Sequence, residues 1–366
     1  MSKAAELANL IGNINAGGGG VNRNLIINGA MELAQRGTSA VTINSGSATY
    51  RLDRFYASGA SSAGVFTVEQ STDAPTDFKN SLKLTVTTAD SSIGSTTNYR
   101  VNQNIEGQNI SSLNYGSSDA KTVALSFYVK SSLTGTFGGK LGNSARDRSH
   151  PFTYTISSAN TWEKKTVTIT GDTSGTWLDT NGIGFELVWS IGAGADRLGT
   201  AGTWAGVRYD GASGQTNIIA TNSSTWFITG VQLEVGQNPT SFEHEPFERT
   251  LTKCQRYFYE VGFPDDHESQ ANLTMGYYLN SARVDCVFHL PVTMRSAPAI
   301  AQSSGTNYFN AYMNGNDTFD AWTAINNGTA QNFVVYADSG VSGTSGDAVL
   351  ITKNNNNASL SADAEL

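Results

Sequence analysis

The sequence predicts an all-β protein, built as a β-sandwich followed by a smaller β-domain, with a short helix at the N-terminus. Charged residues make up only 15% of the 366 residues, and 38 glycines together with Ser, Thr and Asn stand where helices would carry Lys and Glu. Short runs alternate apolar with polar residues, as half-buried strands do. Clusters of Gly, Ser, Asn and Asp separate these runs at the spacing of hairpins. The length allows two or three domains.

The N-terminus predicts a short amphipathic helix on a flexible tether. Apolar side chains fall at i, i+3, i+4 and i+7 in AAELANLIGNI, which places Leu7, Leu10, Ile11 and Ile14 on one face. So short a helix is marginal alone and needs a partner to pack against. Gly17 to Gly20 form a glycine linker. We interpret residues 1–20 as a docking or oligomerisation helix with its linker, the alternative being a frayed tag.

Residues 21–245 read as the β-sandwich. Period-two alternation marks its strands, in SLKLTV, KTVALSFYVK, KTVTI and GFELVW. The last run, TWFITGVQLEV, changes phase between Ile228 and Val231, so one residue is extra. We predict a β-bulge at Gly230, because glycine suits the irregular backbone of a bulge.

Several stretches of the chain resemble known proteins. NLIINGAMELAQRG and STWFITGVQLEVG resemble the first and last strands of carbohydrate-binding-module-like jelly rolls. Together with YRLDRFY, FEHEPFERTLTKCQRYFYE, FHLPVTMRSAPAI and the terminal SADAEL, they make most of the chain similar to bacteriophage tail-fibre and virion-appendage proteins. The resemblance implies a jelly-roll β-sandwich, a smaller C-terminal β-domain, a homotrimer, and a location on the phage particle after assembly in the host cytoplasm.

The charged segment after QLEV predicts a joint between domains rather than a metal or catalytic site. In FEHEP the two glutamates share one face of an extended chain and His244 points to the other. After Pro246 the apolar residues of FERTLTKCQRYFYE recur every three or four positions, the spacing that places them on one face of a helix. Residues 246–366 are therefore predicted to form a connecting helix and a β-domain whose strands include RVDCVFHLPV, FVVYA and AVLIT. The acidic group in PDDHES reads as a solvated turn, with a divalent-cation site as the alternative.

Composition and motifs exclude several classes of function. A net charge of −8, a pI near 5.0 and no clustered Lys and Arg argue against nucleic-acid binding. No apolar run approaches 18 residues, so we expect no membrane insertion. No nucleophile-elbow, zinc-protease, phosphate-loop or dinucleotide motif occurs, and we predict that the protein is not an enzyme. Cys254 and Cys286 are expected to be free, buried thiols, with one disulfide between them as the open alternative.

Two loops supply the predicted glycan-binding residues. Aromatic platforms flanked by amide and carboxylate groups bind sugars, and both loops are rich in glycine, so their side chains are expected to be reachable. The candidates in these loops are Trp177, Asp179, Asn181, Trp204, Tyr209 and Asp210. The alternative is that these aromatic side chains plug the ends of the sandwich or a subunit interface.

The resemblance also raises the question of a structural calcium ion. Carbohydrate-binding jelly rolls often hold calcium between their first and last strands, with an acidic residue at the position of Glu32. Here ITGV occupies residues 228–231, where such modules commonly carry acidic residues. We therefore predict no metal site and no cofactor, with structural calcium at Glu32 as the open alternative.

The resulting prediction is a structural virion protein of a tailed bacteriophage. It would be a homotrimeric, fibre-like appendage that contacts other virion proteins through its N-terminus and binds host surface polysaccharide. Two alternatives remain. One is a capsid decoration or tail adaptor protein without receptor binding, and the less favoured one is a glycan depolymerase.

Overall fold

The computed structural model describes residues 2–15, 23–59, 63–262, 271–313, 315–326 and 328–366. The chain divides into two compact units, Met1–Phe247 with Leu366, and Glu248–Glu365. The predicted Gly17–Gly20 linker and the PDDHES turn lie outside the described residues. The predicted all-β fold class is confirmed.

Helices are few and short. They are α1 (Lys3–Asn15), α2 (Gly107–Ile110) and α3 (Phe247–Gln255), with 3-10 turns at Ser111–Leu113, Ala195–Arg197 and Ile218–Ala220. The predicted N-terminal helix is present as α1, with Leu7 57% and Ile11 50% exposed. Leu10 is half-buried, and the side chain of Ile14 lies outside the described residues. No helix among the described residues is long and apolar enough to span a membrane.

Strands account for most of the regular structure. In chain order they are β1 (Val41–Ile43), β2 (Ala48–Leu52), β3 (Phe55–Gly59), β4 (Val65–Ser71), β5 (Ser81–Thr88), β6 (Asn98–Glu106), β7 (Val123–Ser131), β8 (Gly135–Gly142), β9 (Ser149–Ile156), β10 (Glu163–Ile169), β11 (Ile183–Ala193), β12 (Leu198–Gly199), β13 (Gly211–Ala212), β14 (Thr225–Val235), β15 (Phe258–Glu260), β16 (Asn272–Asn280), β17 (Arg283–His289), β18 (Ala299–Gln302), β19 (Phe309–Tyr312), β20 (Asn316–Phe319), β21 (Ala324–Asn326), β22 (Asn332–Ala337), β23 (Ala348–Lys353) and β24 (Leu360–Asp363).

The first unit is a jelly-roll sandwich of two six-stranded sheets. The front sheet has the order β1-β4-β5-β14-β7-β10, and the back sheet has the order β2-β3-β6-β11-β8-β9. Neighbouring strands in both sheets are antiparallel. Alternate side chains from both sheets meet in one core that includes Trp189, Trp226 and Phe127, all fully buried. The predicted sandwich strands correspond to β5, β7, β10, β11 and β14.

The predicted first strand, NLIINGAMELAQRG, is wrong in its conformation. Asn28 and Met31 both take a positive φ of 59°, which turns the chain instead of extending it. The segment still pairs with the last strand, because Leu25 N–H donates to Leu233 O and Val231 N–H donates to Gly29 O, each at 2.9 Å. Asn28 stabilises the turn, since its amide donates to the carbonyl of Leu33 at 2.9 Å.

The second unit holds two antiparallel sheets. One is three-stranded, β15-β24-β18, and the other is seven-stranded, β20-β19-β23-β16-β17-β22-β21. Its core includes Phe288, Phe309 and Phe333, with Trp322 packed edge-on to Phe288. The predicted strands RVDCVFHLPV, FVVYA and AVLIT correspond to β17, β22 and β23. Cys286 lies in this core as a buried thiol.

Candidate functional site

The two predicted tryptophans come together, but as part of the core rather than as open platforms. Trp177 and Trp204 are 5.5 Å apart between ring centroids and nearly perpendicular at 85°. Tyr115 lies beneath both, 4.9 Å from Trp177 and 6.0 Å from Trp204. Both indole N–H groups are already bonded to backbone carbonyls, Trp177 to Ser174 at 3.0 Å and Trp204 to Thr170 at 2.7 Å. Both side chains are half-buried, which agrees with the alternative in which they plug one end of the sandwich.

Asp210 is not reachable, contrary to the prediction from its loop position. It is 1% exposed, and its carboxylate pairs with Arg208 at 2.9 Å. Lys140 Nζ lies 3.8 Å and Arg100 Nη1 3.9 Å from its other oxygen. Asp210 is therefore committed to a buried ion network and is unsuited to bonding sugar hydroxyl groups.

The three remaining residues of the predicted site differ in their exposure to solvent. Tyr209 is half-buried against Gly199, where a Cβ would lie 2.2 Å from its ring. Asp179 and Asn181 are exposed. The six predicted residues therefore do not form one accessible surface.

The carbonyls around Glu32 are occupied by a neutral donor. Gln70 Nε2 donates to Met31 O at 2.7 Å and to Glu32 O at 3.1 Å. Among the described residues no group of three or more His, Cys, Asp or Glu is arranged to hold a metal ion. The backbone oxygens next to Glu32 are thus satisfied by an amide.

An open aromatic groove lies on the outer face of the front sheet. Its volume is about 510 Å³, within the range of small-molecule sites. The lining residues come from the β4–β5 loop, from the paired strands β7 and β10, and from the chain just after β14. They are Asp77, Phe78, Tyr128, Lys164, Ser241, Phe242 and His244. We call this set the aromatic groove.

The groove is built around Phe78. Its ring centroid lies 5.4 Å from Tyr128, 5.0 Å from Phe242 and 5.3 Å from His244. Phe242 and His244 also contact each other, at 4.9 Å and 75°. Such tilted and edge-to-face pairs hold each other in place and are worth about 0.5–1.5 kcal/mol beyond the area they bury. The floor of the groove is therefore a surface of mutually packed aromatic rings.

The bulge in β14 makes room for this surface. The register between β14 and β7 shifts between Thr229 and Gln232, as predicted for Gly230. Gly230 has φ +60°, and a Cβ there would lie 2.6 Å from Phe78 Cζ and 2.9 Å from Tyr128 Cδ2. Only glycine satisfies both the left-handed backbone and the close ring contact. The sequence irregularity thus has a packing role beneath the groove.

Buried polar side chains of β14 hold the segment that follows this strand against the sheet, and that segment forms one wall of the groove. Glu234, 1% exposed, accepts the Thr240 N–H at 2.7 Å. Gln232 is fully buried and accepts the Glu243 N–H at 2.8 Å. Glu243 in turn accepts the Arg23 backbone N–H at 2.9 Å. Glu243 is therefore structural, and because it lies between Phe242 and His244 in the chain, its bonds fix both rings in the groove.

The rim of the groove is polar and solvent-exposed. Lys164 stands directly opposite Tyr128 in the β7–β10 pair, with its ammonium 5.9 Å from the ring centroid. Asp77, Ser241 and His244 are also exposed. The rim therefore offers an ammonium, a carboxylate, a hydroxyl and an imidazole around an apolar floor.

One pleat further along β7, the same sheet face carries a second aromatic pair. Trp162 and Phe227 lie 6.0 Å apart, and the Lys130 ammonium is 4.4 Å from the Phe227 ring. Trp162 donates its indole N–H to Asp73 at 3.1 Å, and Lys130 pairs with the same carboxylate. Phe227 is only 7% exposed, so this pair extends the face without opening a second cleft.

Sequence reasoning missed the groove because its members are scattered. Phe78 follows a tight turn at Asp77, whose φ is +77°. Tyr128 points outward from β7, a strand that the sequence identifies by its inward apolar residues. The available signal was an aromatic residue on the polar face of a strand, where a small or charged residue is usual. The predicted bulge at Gly230 was a second signal.

The comparisons with known proteins gave structural similarity only. No protein-family model matches the chain, and no curated protein matches it. Among solved structures, the tailspike protein 4 enzymatically active domain of Bacteriophage CBA120 is similar at 14% identity and a TM-score of 0.32. That similarity covers 58% of this chain but only 21% of the tailspike chain.

Carbohydrate-binding modules are also similar in structure. The CBM22-1 xylan-binding domain from Paenibacillus barcinonensis Xyn10C has 10% identity and a TM-score of 0.27, with coverage of 59% of this chain and 96% of its own. The family 11 module from Clostridium thermocellum, in complex with a mixed-linked tetrasaccharide, has 8% identity and a TM-score of 0.26, with coverage of 57% and 99%. At these TM-scores the shared geometry is too limited to carry a functional argument.

Proposed function

We propose that the first unit binds a glycan in the aromatic groove. The observation that carries this proposal is the open cleft whose floor is Phe78, Tyr128 and Phe242 and whose rim is polar. The C–H faces of a sugar ring pack on aromatic faces, while its hydroxyl groups need donors and acceptors at the edge. The groove supplies both in one place.

We propose binding without catalysis. Glycoside hydrolysis uses two carboxyl groups about 5–10 Å apart across the scissile bond. Among the described residues that line the groove, Asp77 supplies the only carboxylate.

We further propose that the chain is an appendage protein of a tailed bacteriophage particle. This assignment is supported by the resemblance of NLIINGAMELAQRG, QLEVG and the segments that follow to tail-fibre and virion-appendage proteins. In this role α1 contacts other virion proteins, self-association multiplies weak glycan contacts into useful avidity, and the glycan belongs to the host surface. Leu7 and Ile11, both at least half exposed, offer α1 an apolar surface for docking.

A glycan array tests the binding proposal. The full chain should bind one class of oligosaccharide, and Phe242→Ala should weaken that binding by about tenfold or more, because hot-spot aromatic side chains contribute about 2 kcal/mol. Val207→Ala is the control, since Val207 is 50% exposed, belongs to the first unit and does not line the groove. Equal binding by wild type and Phe242→Ala would refute the groove as the site.

A truncation tests the virion role separately. A chain that starts at Asn22 should keep glycan binding but fail to incorporate into particles. Incorporation of the truncated chain at the wild-type level would show that Leu7, Leu10, Ile11 and Ile14 do not dock it.

A further inference from the structure

The outer face of the seven-stranded sheet in the second unit is apolar and exposed. Its inner face packs in the core of that unit. The outer face carries five large hydrophobic side chains, Met275 at 65% exposure, Tyr277 at 46%, Leu279 at 44%, Val287 at 41% and Tyr312 at 51%. Monomeric proteins rarely expose a contiguous apolar patch without using it.

These side chains form a continuous surface across the sheet. Tyr312 on β19 is paired with Leu350 on β23, and Leu350 is paired with Met275 on β16. Val287 on β17, the strand next to β16, is paired with Val334 on β22. At about 4.8 Å between strands, this apolar row is roughly 19 Å wide. Tyr277 and Leu279 extend it along β16 in the same outward phase.

The charge on this face is cancelled internally. Among the described outward positions of the seven strands, the charged side chains are Arg283 and Asp285. They pair with each other, at 2.5 Å and 3.0 Å, and the Arg283 guanidinium stacks 3.8 Å above the Tyr336 ring. A twofold contact sets a patch against a copy of itself, so an unbalanced charge would repel its own image. This face carries no such imbalance and so suits a second copy of the same chain.

The size of the face also fits self-association. Seven strands about six residues long cover a flat area of roughly 29 by 20 Å. The relief of the side chains raises the accessible area of this face toward roughly 800 Å², the area that each partner buries in a standard interface. The apolar row lies at the centre, while Asn280 and His289 lie at strand ends, where they are exposed. An apolar centre within a polar rim is the usual anatomy of an interface.

We propose that the outer face of the seven-stranded sheet is the self-association interface of this protein, occupied by the same face of a second copy. This inference does not depend on glycan binding. It names the surface through which two copies of the chain join, whatever the first unit recognises, and it predicts a twofold dimer where the resemblance implies a homotrimer.

Sedimentation velocity on the full chain tests the interface. The wild-type chain should form an oligomer, and Met275→Glu should raise the dissociation constant by about a hundredfold, because each copy then buries a carboxylate in the apolar row. Val207→Glu is the matched control, since Val207 is 50% exposed in the first unit. Tyr277→Ser, a milder change on the same face, serves if Met275→Glu disturbs folding by circular dichroism.

Charge rescue tests that the partner is a second copy of this face. Met275→Glu and Met275→Lys chains should each be monomeric, and mixing them should restore the oligomer. A wild-type chain that stays monomeric at its highest soluble concentration would overturn the proposal. So would an oligomer unaffected by both Met275→Glu and Tyr277→Ser.

Discussion

Replacing Gly230 with alanine tests how the bulge in β14 supports the aromatic groove. The substitution acts in two ways. The backbone φ of +60° lies in the left-handed region, which costs a residue with a Cβ about 1–2 kcal/mol. The new methyl group would also lie 2.6 Å from Phe78 Cζ, whereas carbon atoms pack at about 3.5–4.0 Å, so the ring must move by about 1 Å.

The magnitude follows from adding the two effects. Overpacking of this kind costs about 1–3 kcal/mol, so Gly230→Ala should destabilise the first unit by about 2–5 kcal/mol in total. Gly46→Ala is the matched control, because Gly46 has φ +74° and open space around its missing Cβ. The control should lose only the backbone contribution, about 1–2 kcal/mol.

The assay is urea unfolding followed by tryptophan fluorescence, which reports mainly on the first unit because five of the six tryptophans lie there. Glycan affinity is measured on the same proteins, and only Gly230→Ala should reduce it, since only that change displaces Phe78. Equal losses of stability in the two variants, with glycan affinity unchanged in both, would refute the packing role assigned to Gly230.

Three further predictions follow from buried ionisable groups. Lys140→Met removes the fully buried cation that lies beside Glu186 and Asp210, so it should destabilise the first unit by about 3–5 kcal/mol in urea unfolding. Lys79 is exposed, and the control Lys79→Met should change the stability by less than about 0.5 kcal/mol. Burial raises the pKa of Glu186, but the attraction of nearby cations, Lys140 first among them, outweighs it and holds that pKa well below its ordinary value of 4.5. A depressed folded-state pKa adds stability above pH 4.5 that is lost as the pH falls below it, so Glu186→Gln should flatten the acid side of the stability profile, and an unchanged profile would contradict this. Burial raises the pKa of the Cys286 thiol to about 12, so a thiol reagent at neutral pH should label it only on unfolding, and rapid labelling of the native protein would contradict its burial.

Most of the β-structure could be predicted because alternation depends on neighbouring residues. The phases of KTVALSFYVK and RVDCVFHLPV directly place their apolar side chains in the two cores as β7 and β17. The segment NLIINGAMELAQRG misled the prediction because its turn depends on long-range bonds, such as that from Asn28 to the carbonyl of Asp53. Apolar content alone does not distinguish such a turn from a strand.

The site was harder to predict because it depends on tertiary contacts. Trp177 and Trp204 lie in glycine-rich loops, yet both pack against Tyr115, which is distant from them in sequence and lies beside the core. Phe78, Tyr128 and Phe242 come from three separate segments that meet only in the folded sheet. The charged residues of FEHEP predict a joint between domains, whereas Phe242 and His244 of the same segment line the groove.

A crystal structure of the full chain with the oligosaccharide selected on the array tests the central claim most directly. We predict a sugar ring packed against Phe78 and Phe242, with its hydroxyl groups bonded to rim residues such as Asp77 or Lys164. A sugar bound instead at Trp177 and Trp204, with the aromatic groove empty, would contradict the account.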